Sequence, residues 1–197
     1  PESFFEPALV TFATPAAPES AVANAAVVLR GAKRPLIIAG GGVLYGLATD
    51  ALRAFADAHG VPVAETQAGK GALAWDHPLQ AGAIGVTGSP AANALAEEAD
   101  VVLAIGTRLS DFTTGSHSLF PQARLVNLNV NAFDARKRRG VEVLGDAGAT
   151  LAALSGALAG WQSDHAWHAL AQRACADWRS DVDRLTGRRE VALPYEG

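Results

Sequence analysis

Short apolar segments alternate along this chain with segments of helical pattern, and this alternation is the feature that most restricts its fold. Residues 101–105 (Val-Val-Leu-Ala-Ile) are apolar throughout, which is typical of a parallel strand buried on both faces. Strands that alternate with helices predict an α/β fold, a Rossmann-like three-layer sandwich with five or six parallel strands. The segments predicted as strands are 36–39, 61–66, 101–105, 124–128 and 141–144.

Helix signals lie between these strands. In residues 49–59, Leu52, Phe55 and Ala56 fall on one helical face, and Gly60 stands where a left-handed cap ends a helix. Ser89-Pro90 supplies a capping hydroxyl and a proline at the first helical position. The remaining predicted helices are 20–31, 89–99 and 150–158. Residues 67–88 hold five glycines and are predicted to be irregular.

Both ends of the chain depart from this pattern. Residues 1–18 are rich in Pro and Ala, which predicts a linker. Residues 163–185 predict an amphipathic helix that lies on this domain or on a neighbour. We divide the chain into a linker (1–18), a central nucleotide-fold domain (19–160) and a helical linker toward a further domain (161–197). The apolar stripe of the last helix consists of Trp167, Leu170, Ala174, Trp178, Val182 and Leu185.

Charge and composition exclude several classes of protein. A net charge of −4 argues against a nucleic-acid partner. The apolar runs are too short to span a membrane, and no secretory signal pattern is present. The single cysteine, Cys175, cannot form an internal disulfide, which favours a reducing, cytoplasmic setting. The chain contains no Met and opens at Pro1, as expected of a domain excised from a longer polypeptide.

Glycine-rich clusters follow several predicted strands or precede the Ser89 helix. The carboxyl ends of parallel strands line the ligand crevice of such folds, and glycine lets the backbone turn sharply and approach a ligand. The alternatives are a tight turn that binds no ligand at residues 40–42, an exposed loop lysine at Lys70 and a flexible surface loop at residues 82–88. For Arg108 we favour a structural pair with Asp111 over a phosphate contact. The candidate cofactor-binding residues are Gly40, Gly41, Gly42, Gly69, Lys70, Gly71, Gly85, Gly88, Gly106 and Arg108.

The first cluster matches a dinucleotide-binding fingerprint only in part. Gly40 and Gly42 fit its first two positions, but Tyr45 occupies the third and the next glycine comes one residue late. Glu65 ends the second strand at the distance expected of a ribose-binding acid. We also predict a positive φ at Gly41, so that Gly41→Val would distort the turn.

Motifs for a nucleophile elbow, a metalloprotease helix or a redox cysteine pair are missing from the sequence. His165 and His168 are three residues apart, but no carboxylate or cysteine cluster joins them, so we predict no metal site. No nucleophile can be matched with a base, so we predict no catalytic residue in this chain.

The glycine-rich clusters and the segments around them, in their order along the chain, resemble the central domain of the acetohydroxyacid synthase-like thiamin-diphosphate enzymes. The resemblance spans about residues 20–160. Within that family, three segments (65–71, 108–115 and 129–134) are most similar to the trihydroxycyclohexane-1,2-dione hydrolases, which cleave a ring diketone in myo-inositol breakdown. The segments that carry the overall resemblance are 34–42, 60–63, 69–72, 76–79, 82–93, 99–108 and 145–146.

The resemblance implies a three-domain subunit in which this domain braces the other two and is inactive alone. The first domain would supply a glutamate that activates the thiamin ring, and the third would hold thiamin diphosphate and Mg²⁺, in a homodimer or homotetramer. Some relatives bind FAD or an adenine nucleotide in the central crevice. Asn129-Val130-Asn131 stands where FAD-binding relatives tend to have two acids, so the resemblance implies no tightly bound flavin.

Other functions fit the same residues. One is the central domain of an acetolactate synthase-like enzyme or a decarboxylase. Another is a free-standing NAD- or FAD-binding Rossmann-like protein, which the displaced third glycine and the missing catalytic set disfavour. A third is a scaffold that binds no small molecule and only organises subunits.

Overall fold

A parallel sheet forms the centre of the computed structural model, which describes residues 15–187. The strands are β1 Pro35–Ala39, β2 Val63–Glu65, β3 Gln80–Ala83, β4 Val101–Ile105, β5 Arg124–Asn129 and β6 Val141–Leu144. They pair in the order β3-β2-β1-β4-β5-β6, and every pair is parallel. The predicted Rossmann-like α/β fold is therefore confirmed. Predictions for residues 1–14 and 188–197 lie outside the described residues.

Helices cover both faces of the sheet. They are α1 Glu19–Arg30, α2 Gly41–Tyr45, α3 Thr49–His59, α4 Pro90–Glu98, α5 Asp111–Thr114, α6 Ala132–Ala135, α7 Ala147–Ala157 and α8 His165–Thr186, with 3₁₀ turns at Gln67–Gly69 and Lys137–Arg139. In the described part of the chain, none of them is long and apolar enough to cross a membrane.

Two apolar clusters fill the space between the sheet and its helices. Successive side chains of a strand point to opposite faces, so Ile37 and Leu103 pack with α1, α3 and α7. Their neighbours Leu36 and Val102 pack with α4 and α8. All five residues of β1 and of β4 are buried, which is why those strands are apolar without interruption.

The edge strand β3 lies inside the stretch that was predicted to be irregular, so that prediction is wrong at residues 80–83. Its sequence, Gln-Ala-Gly-Ala, has neither an apolar run nor β-branched residues. The pairing with β2 shifts register between Val63 and Ala64, and Gly82 has a φ of +92°. A strand that depends on a neighbour and on a glycine kink leaves no local sequence signal.

The predicted helix signals are confirmed. Ser89 Oγ accepts a hydrogen bond from the amide of Ala92 at 3.0 Å, and Pro90 opens α4. Gly60 ends α3 with a φ of +65°. These caps satisfy backbone groups that the helix itself leaves unpaired.

Helix α8 packs against the sheet in its first half. Trp167, Ala171 and Cys175 are buried in the same cluster as α4. The indole Nε1 of Trp167 donates to the carbonyl oxygen of Pro35 at 2.9 Å. Leu170 and Leu185 of the predicted apolar stripe are exposed. The buried face of α8 is rotated from the predicted one, and it carries the smaller side chains of Ala171 and Cys175 instead of these leucines. The division of the chain at residue 160 remains a prediction.

The thiol of Cys175 should be chemically protected in the folded protein. It is fully buried, and desolvation raises the pKa of this thiol to about 11, against a weaker opposing effect of Arg179. The reactive species is the thiolate, so we expect very slow reaction with a disulfide reagent in native buffer and rapid reaction in urea. A Val27→Cys variant, with its new thiol at an exposed position, is the control and should react at once. Equal native rates at both thiols would contradict the burial of Cys175.

Candidate functional site: the crevice at the sheet's switch point

A crevice of about 430 Å³ opens where the strand order reverses between β1 and β4. Loops that follow β1, β2 and β4 form its walls, as the geometry of an open parallel sheet dictates. The side chains that reach it are mainly hydroxyl, amide and aromatic groups. Its lining residues are Gly41, Gly42, Tyr45, Thr66, Gln67, Ala68, Gly106, Thr107, Arg108, Ser110, Phe112 and Thr113.

Four of the ten candidate residues, Gly41, Gly42, Gly106 and Arg108, line this crevice. Two more lie close beneath its floor. The amide of Gly40 donates to the carbonyl of Ile105 at 2.8 Å. A Cβ on Gly69 would lie 2.2 Å from the carbonyl oxygen of Ala39.

Four of these glycines have no room for a Cβ because backbone atoms of the protein lie too close: Gly40, Gly42, Gly69 and Gly106. A Cβ on Gly40 would lie 2.4 Å from the carbonyl oxygen of Gly106, and a Cβ on Gly42 would lie 2.6 Å from the Cα of Gly106. The amide of Gly42 donates to that same carbonyl at 3.0 Å. The turns after β1 and β4 are thus packed backbone to backbone. Close packing between strands accounts for these glycines without a ligand.

The prediction of a positive φ at Gly41 is wrong. Gly41 is the first residue of α2, and Gly106 supplies the left-handed conformation at this site with a φ of +57°. A Cβ on Gly41 would meet the Cβ of Ala68 at 3.2 Å, a tight contact rather than an overlap.

Lys70 and Gly71 do not line the crevice. Lys70 lines a second cavity of about 440 Å³, which lies between the β2–β3 loop and α8 and also contains Trp75, Trp178 and Arg179. Gly71 has a φ of +90°, and a Cβ there would meet open space. The Gly69-Lys70-Gly71 cluster is therefore split between the floor of the crevice and the second cavity.

Gly85 and Gly88 approach protein groups closely. A Cβ on Gly85, where φ is +119°, would lie 2.4 Å from the carbonyl oxygen of Phe112. The side chain of Asn93 brackets Gly85, because it accepts from its amide at 3.1 Å and donates to its carbonyl at 3.0 Å. A Cβ on Gly88 would lie 2.5 Å from Asn93 Oδ1. The regular glycine spacing thus fits a loop pressed against α5 and Asn93.

Two predictions about charged groups are corrected. The predicted pair between Arg108 and Asp111 is wrong, because Asp111 lies 3.7 Å from His117 and Arg108 is exposed. Glu65 lines the second cavity rather than the crevice. Its two buried oxygens accept from the amide of Leu73 at 2.9 Å and from Gln80 Nε2 at 3.0 Å, so this carboxylate fastens the β2–β3 loop.

Sequence reasoning missed the polar and aromatic walls of the crevice. Thr66 and Gln67 directly follow β2, and Tyr45 and Phe112 lie in the short helices after β1 and β4. The same strand-end rule that selected the glycines would have found them. The prediction from sequence considered mainly glycines, because their backbone can approach a ligand closely.

The described residues bring together no metal centre: within residues 15–187, no three His, Cys, Asp or Glu side chains lie close enough to hold an ion. Asp146 follows β6, and its Oδ1 accepts from the amide of Ala149 at 2.9 Å. That carboxylate therefore caps α7.

A comparison with models of protein families identifies the family of this domain. Residues 22–154 match the model of the thiamine pyrophosphate enzyme central domain. The chain belongs to that family. The matched segment contains the whole sheet and the crevice, and it ends within α7.

The relatives of this central domain agree with one another in name. The chain is 41% identical over 94% of its length to the 3D-(3,5/4)-trihydroxycyclohexane-1,2-dione hydrolase of Geobacillus thermodenitrificans, and it covers 29% of that protein. It is 38% identical, again over 94%, to the enzyme of the same name in Clostridium perfringens. A Bacillus cereus protein named 3D-(3,5/4)-trihydroxycyclohexane-1,2-dione hydrolase 2 is 38% identical over 90% of the chain. The chain thus spans less than a third of these relatives.

Asn129, which ends β5, and Asn131, which follows it, hold this central domain's own loops. Asn129 Nδ2 donates to the carbonyl of Thr107 at 3.1 Å, and its Oδ1 accepts from the amide of Asn131 at 3.0 Å. Asn131 Oδ1 accepts from the amide of Phe133 at 2.9 Å. Both side chains thus bind backbone groups of the loops that follow β4 and β5.

Proposed function

We propose that this chain is the central domain of a thiamin-diphosphate-dependent trihydroxycyclohexane-1,2-dione hydrolase, an enzyme that opens a ring diketone by hydrolysis of a C–C bond. The observation that carries the proposal is identity of 38–41% over 94% of the chain to proteins with that name. The resemblance of the three segments 65–71, 108–115 and 129–134 points the same way.

The role proposed for this domain is mechanical. Thiamin diphosphate, when bound, supplies a carbanion-stabilising centre for C–C bond cleavage. The described residues do not fit that cofactor, since they gather no ligand set for its Mg²⁺ and the carboxylate of Asp146 is a helix cap. We therefore assign thiamin diphosphate and Mg²⁺ to other domains of the same polypeptide, in a cytoplasmic homodimer or homotetramer. The central domain holds those domains in place.

We also propose that the crevice holds no tightly bound FAD. A flavin diphosphate at this place would need free backbone amides, whereas the amides of Gly40 and Gly42 already donate to β4 and its turn. The Asn129 and Asn131 side chains are likewise engaged with backbone groups.

Activity of the full-length protein tests the proposal directly. With thiamin diphosphate and Mg²⁺ present, we expect trihydroxycyclohexane-1,2-dione to gain one water and open, as seen by mass spectrometry and NMR. Pyruvate, the substrate of the acetolactate synthase-like alternative, should give no acetolactate. Residues 1–197 alone should turn over neither compound.

The competing functions have distinct outcomes in the same experiment. Acetolactate formation without ring opening would assign the chain to the acetolactate synthase-like enzymes. Tight NAD binding to residues 1–197 in a calorimetric titration, together with turnover, would support a free-standing nicotinamide-dependent oxidoreductase and overturn the proposal.

A further inference from the structure

Large apolar side chains remain exposed mainly at one end of the sheet. Most of those in residues 15–187 follow the carboxyl end of a strand. Leu47 is 90% exposed, Tyr45 89% and Phe133 75%. We call the set the carboxyl-end surface: Tyr45, Leu47, Val86, Phe112, Val130 and Phe133. Exposed apolar groups gathered in this way mark an interaction site, whereas single ones are ordinary.

Contacts connect several members of this surface. Tyr45 and Phe112 are opposite walls of the crevice. The amide of Val86 donates to the carbonyl of Phe112 at 3.0 Å. On the other side, the ammonium of Lys137 lies 5.0 Å from the centre of the Phe133 ring and donates to the carbonyl of Arg108 at 2.9 Å. The loops that carry Val86, Phe112 and Phe133 are thus connected to one another, and Tyr45 lines the same crevice as Phe112.

Leu47 is the member that the isolated fold explains least. Its φ is +50°, in the left-handed region that a residue with a Cβ seldom adopts. Its side chain is almost fully exposed to water. Neither the conformation nor the exposure stabilises this domain by itself. A partner that covers the leucine would recover the apolar burial that the domain lacks.

The path of the chain indicates what covers this surface. The carbonyl of Pro15, the first described residue, accepts from the amide of Asp146 at 2.8 Å. The carboxylate of Asp146 lies near Gly46, the residue before Leu47, since a Cβ on Gly46 would lie 3.6 Å from Asp146 Oδ2. Pro15 therefore lies beside the loop that follows β6, close to Gly46 and the carboxyl-end surface. The relatives are more than three times as long as this chain, which covers 29% of them.

We propose that the carboxyl-end surface docks another domain of the same polypeptide, through an apolar face of that domain. This inference rests on the proposed function, in which the chain is one domain of a longer enzyme. The crevice would then open toward the interface between domains rather than toward bulk water. Tyr45 and Arg108, which line the crevice, are of the residue types that dominate the energy of such contacts.

Photocrosslinking in the full-length protein tests the inference. Phe133 and Tyr45 are each replaced by p-benzoylphenylalanine, which is close in shape to the native aromatic side chain. The matched control carries it at Val27, which is 68% exposed on α1 and away from the strand ends. After irradiation and digestion, we expect crosslinks from Phe133 and Tyr45 to peptides outside residues 1–197, in several-fold higher yield than from Val27.

The alternative outcomes overturn the inference. Crosslinks confined to residues 1–197 and lost on dilution would mean that a second copy covers the surface. Equal yields at all three positions, or none at Phe133 and Tyr45, would mean that no domain docks there. The readout does not depend on activity. Crosslinks without ring opening would therefore refute only the proposed hydrolase, and ring opening without crosslinks would refute only the docking surface.

Discussion

Alanine at Gly40 or Gly42 should destabilise the protein by about 3 kcal/mol, whereas alanine at Gly41 should cost about 1 kcal/mol. The first two methyl groups would lie 2.4 and 2.6 Å from backbone atoms of Gly106, which can move only if two neighbouring strands separate. The methyl group on Gly41 would meet Ala68 and a ring atom of Tyr45 at 3.1–3.2 Å, which small shifts can relieve. Three adjacent glycines are thus expected to respond very differently.

The midpoint of urea unfolding, followed by circular dichroism, measures this difference. Gly156→Ala is the matched control, because a methyl group there meets nothing within 4 Å and the residue lies in α7. It should stabilise the protein by roughly 0.5 kcal/mol through helix propensity. A methyl group on Gly71 also meets nothing within 4 Å, but φ at this residue is +90°. A loss of about 1 kcal/mol in stability for Gly71→Ala would therefore measure the backbone strain alone.

The same variants separate packing from ligand binding. If the glycines existed for a phosphate rather than for Gly106, alanine at Gly40 and Gly42 would leave the stability of the ligand-free protein unchanged. Similar losses at all three positions would also contradict the contacts described here.

Local sequence pattern was sufficient for most of the fold. The strands β1 and β4 are buried on both faces, so an uninterrupted apolar run identified them. The cap at Ser89 and the left-handed Gly60 are local features with local causes, and both were predicted correctly. The strand β3 was missed because it forms only through its pairing with β2.

The position of the candidate site was predictable, but the use of its residues was not. Loops that follow parallel strands must meet at the same edge of the sheet, so Gly42 and Gly106 could be placed together. Sequence alone does not tell whether a glycine makes room for a ligand or for another backbone. Gly40 and Gly106 are far apart in the chain. Only the folded structure shows that a Cβ on Gly40 would overlap the backbone of Gly106. Lys70 was assigned to the crevice because the position of α8, which completes the second cavity, has no local signal.

Replacing Trp167 by alanine should destabilise the protein by about 3–5 kcal/mol, because it leaves a large cavity between α8 and the sheet. Trp167 is 4% exposed and shares its cluster with Leu36 and Leu95. Trp167→Phe keeps most of the ring but removes the hydrogen bond to Pro35, so about 1–2 kcal/mol should be lost. Leu170→Ala, on the exposed side of the same helix, is the control and should cost less than about 1 kcal/mol.

This series decides whether α8 belongs to the domain or merely connects it to the next one. If the first half of α8 is part of one cooperative unit, Trp167→Ala must lower the unfolding midpoint of the whole sheet and speed amide hydrogen exchange in β1, including Ile37, whose amide donates to Pro62. If residues from 161 onward are only a linker, the sheet should unfold at its original midpoint and only helical signal should be lost. The burial of Ala171 and Cys175 beside α4 favours the first result, because a helix that packs so closely cannot detach without exposing the apolar face of the sheet.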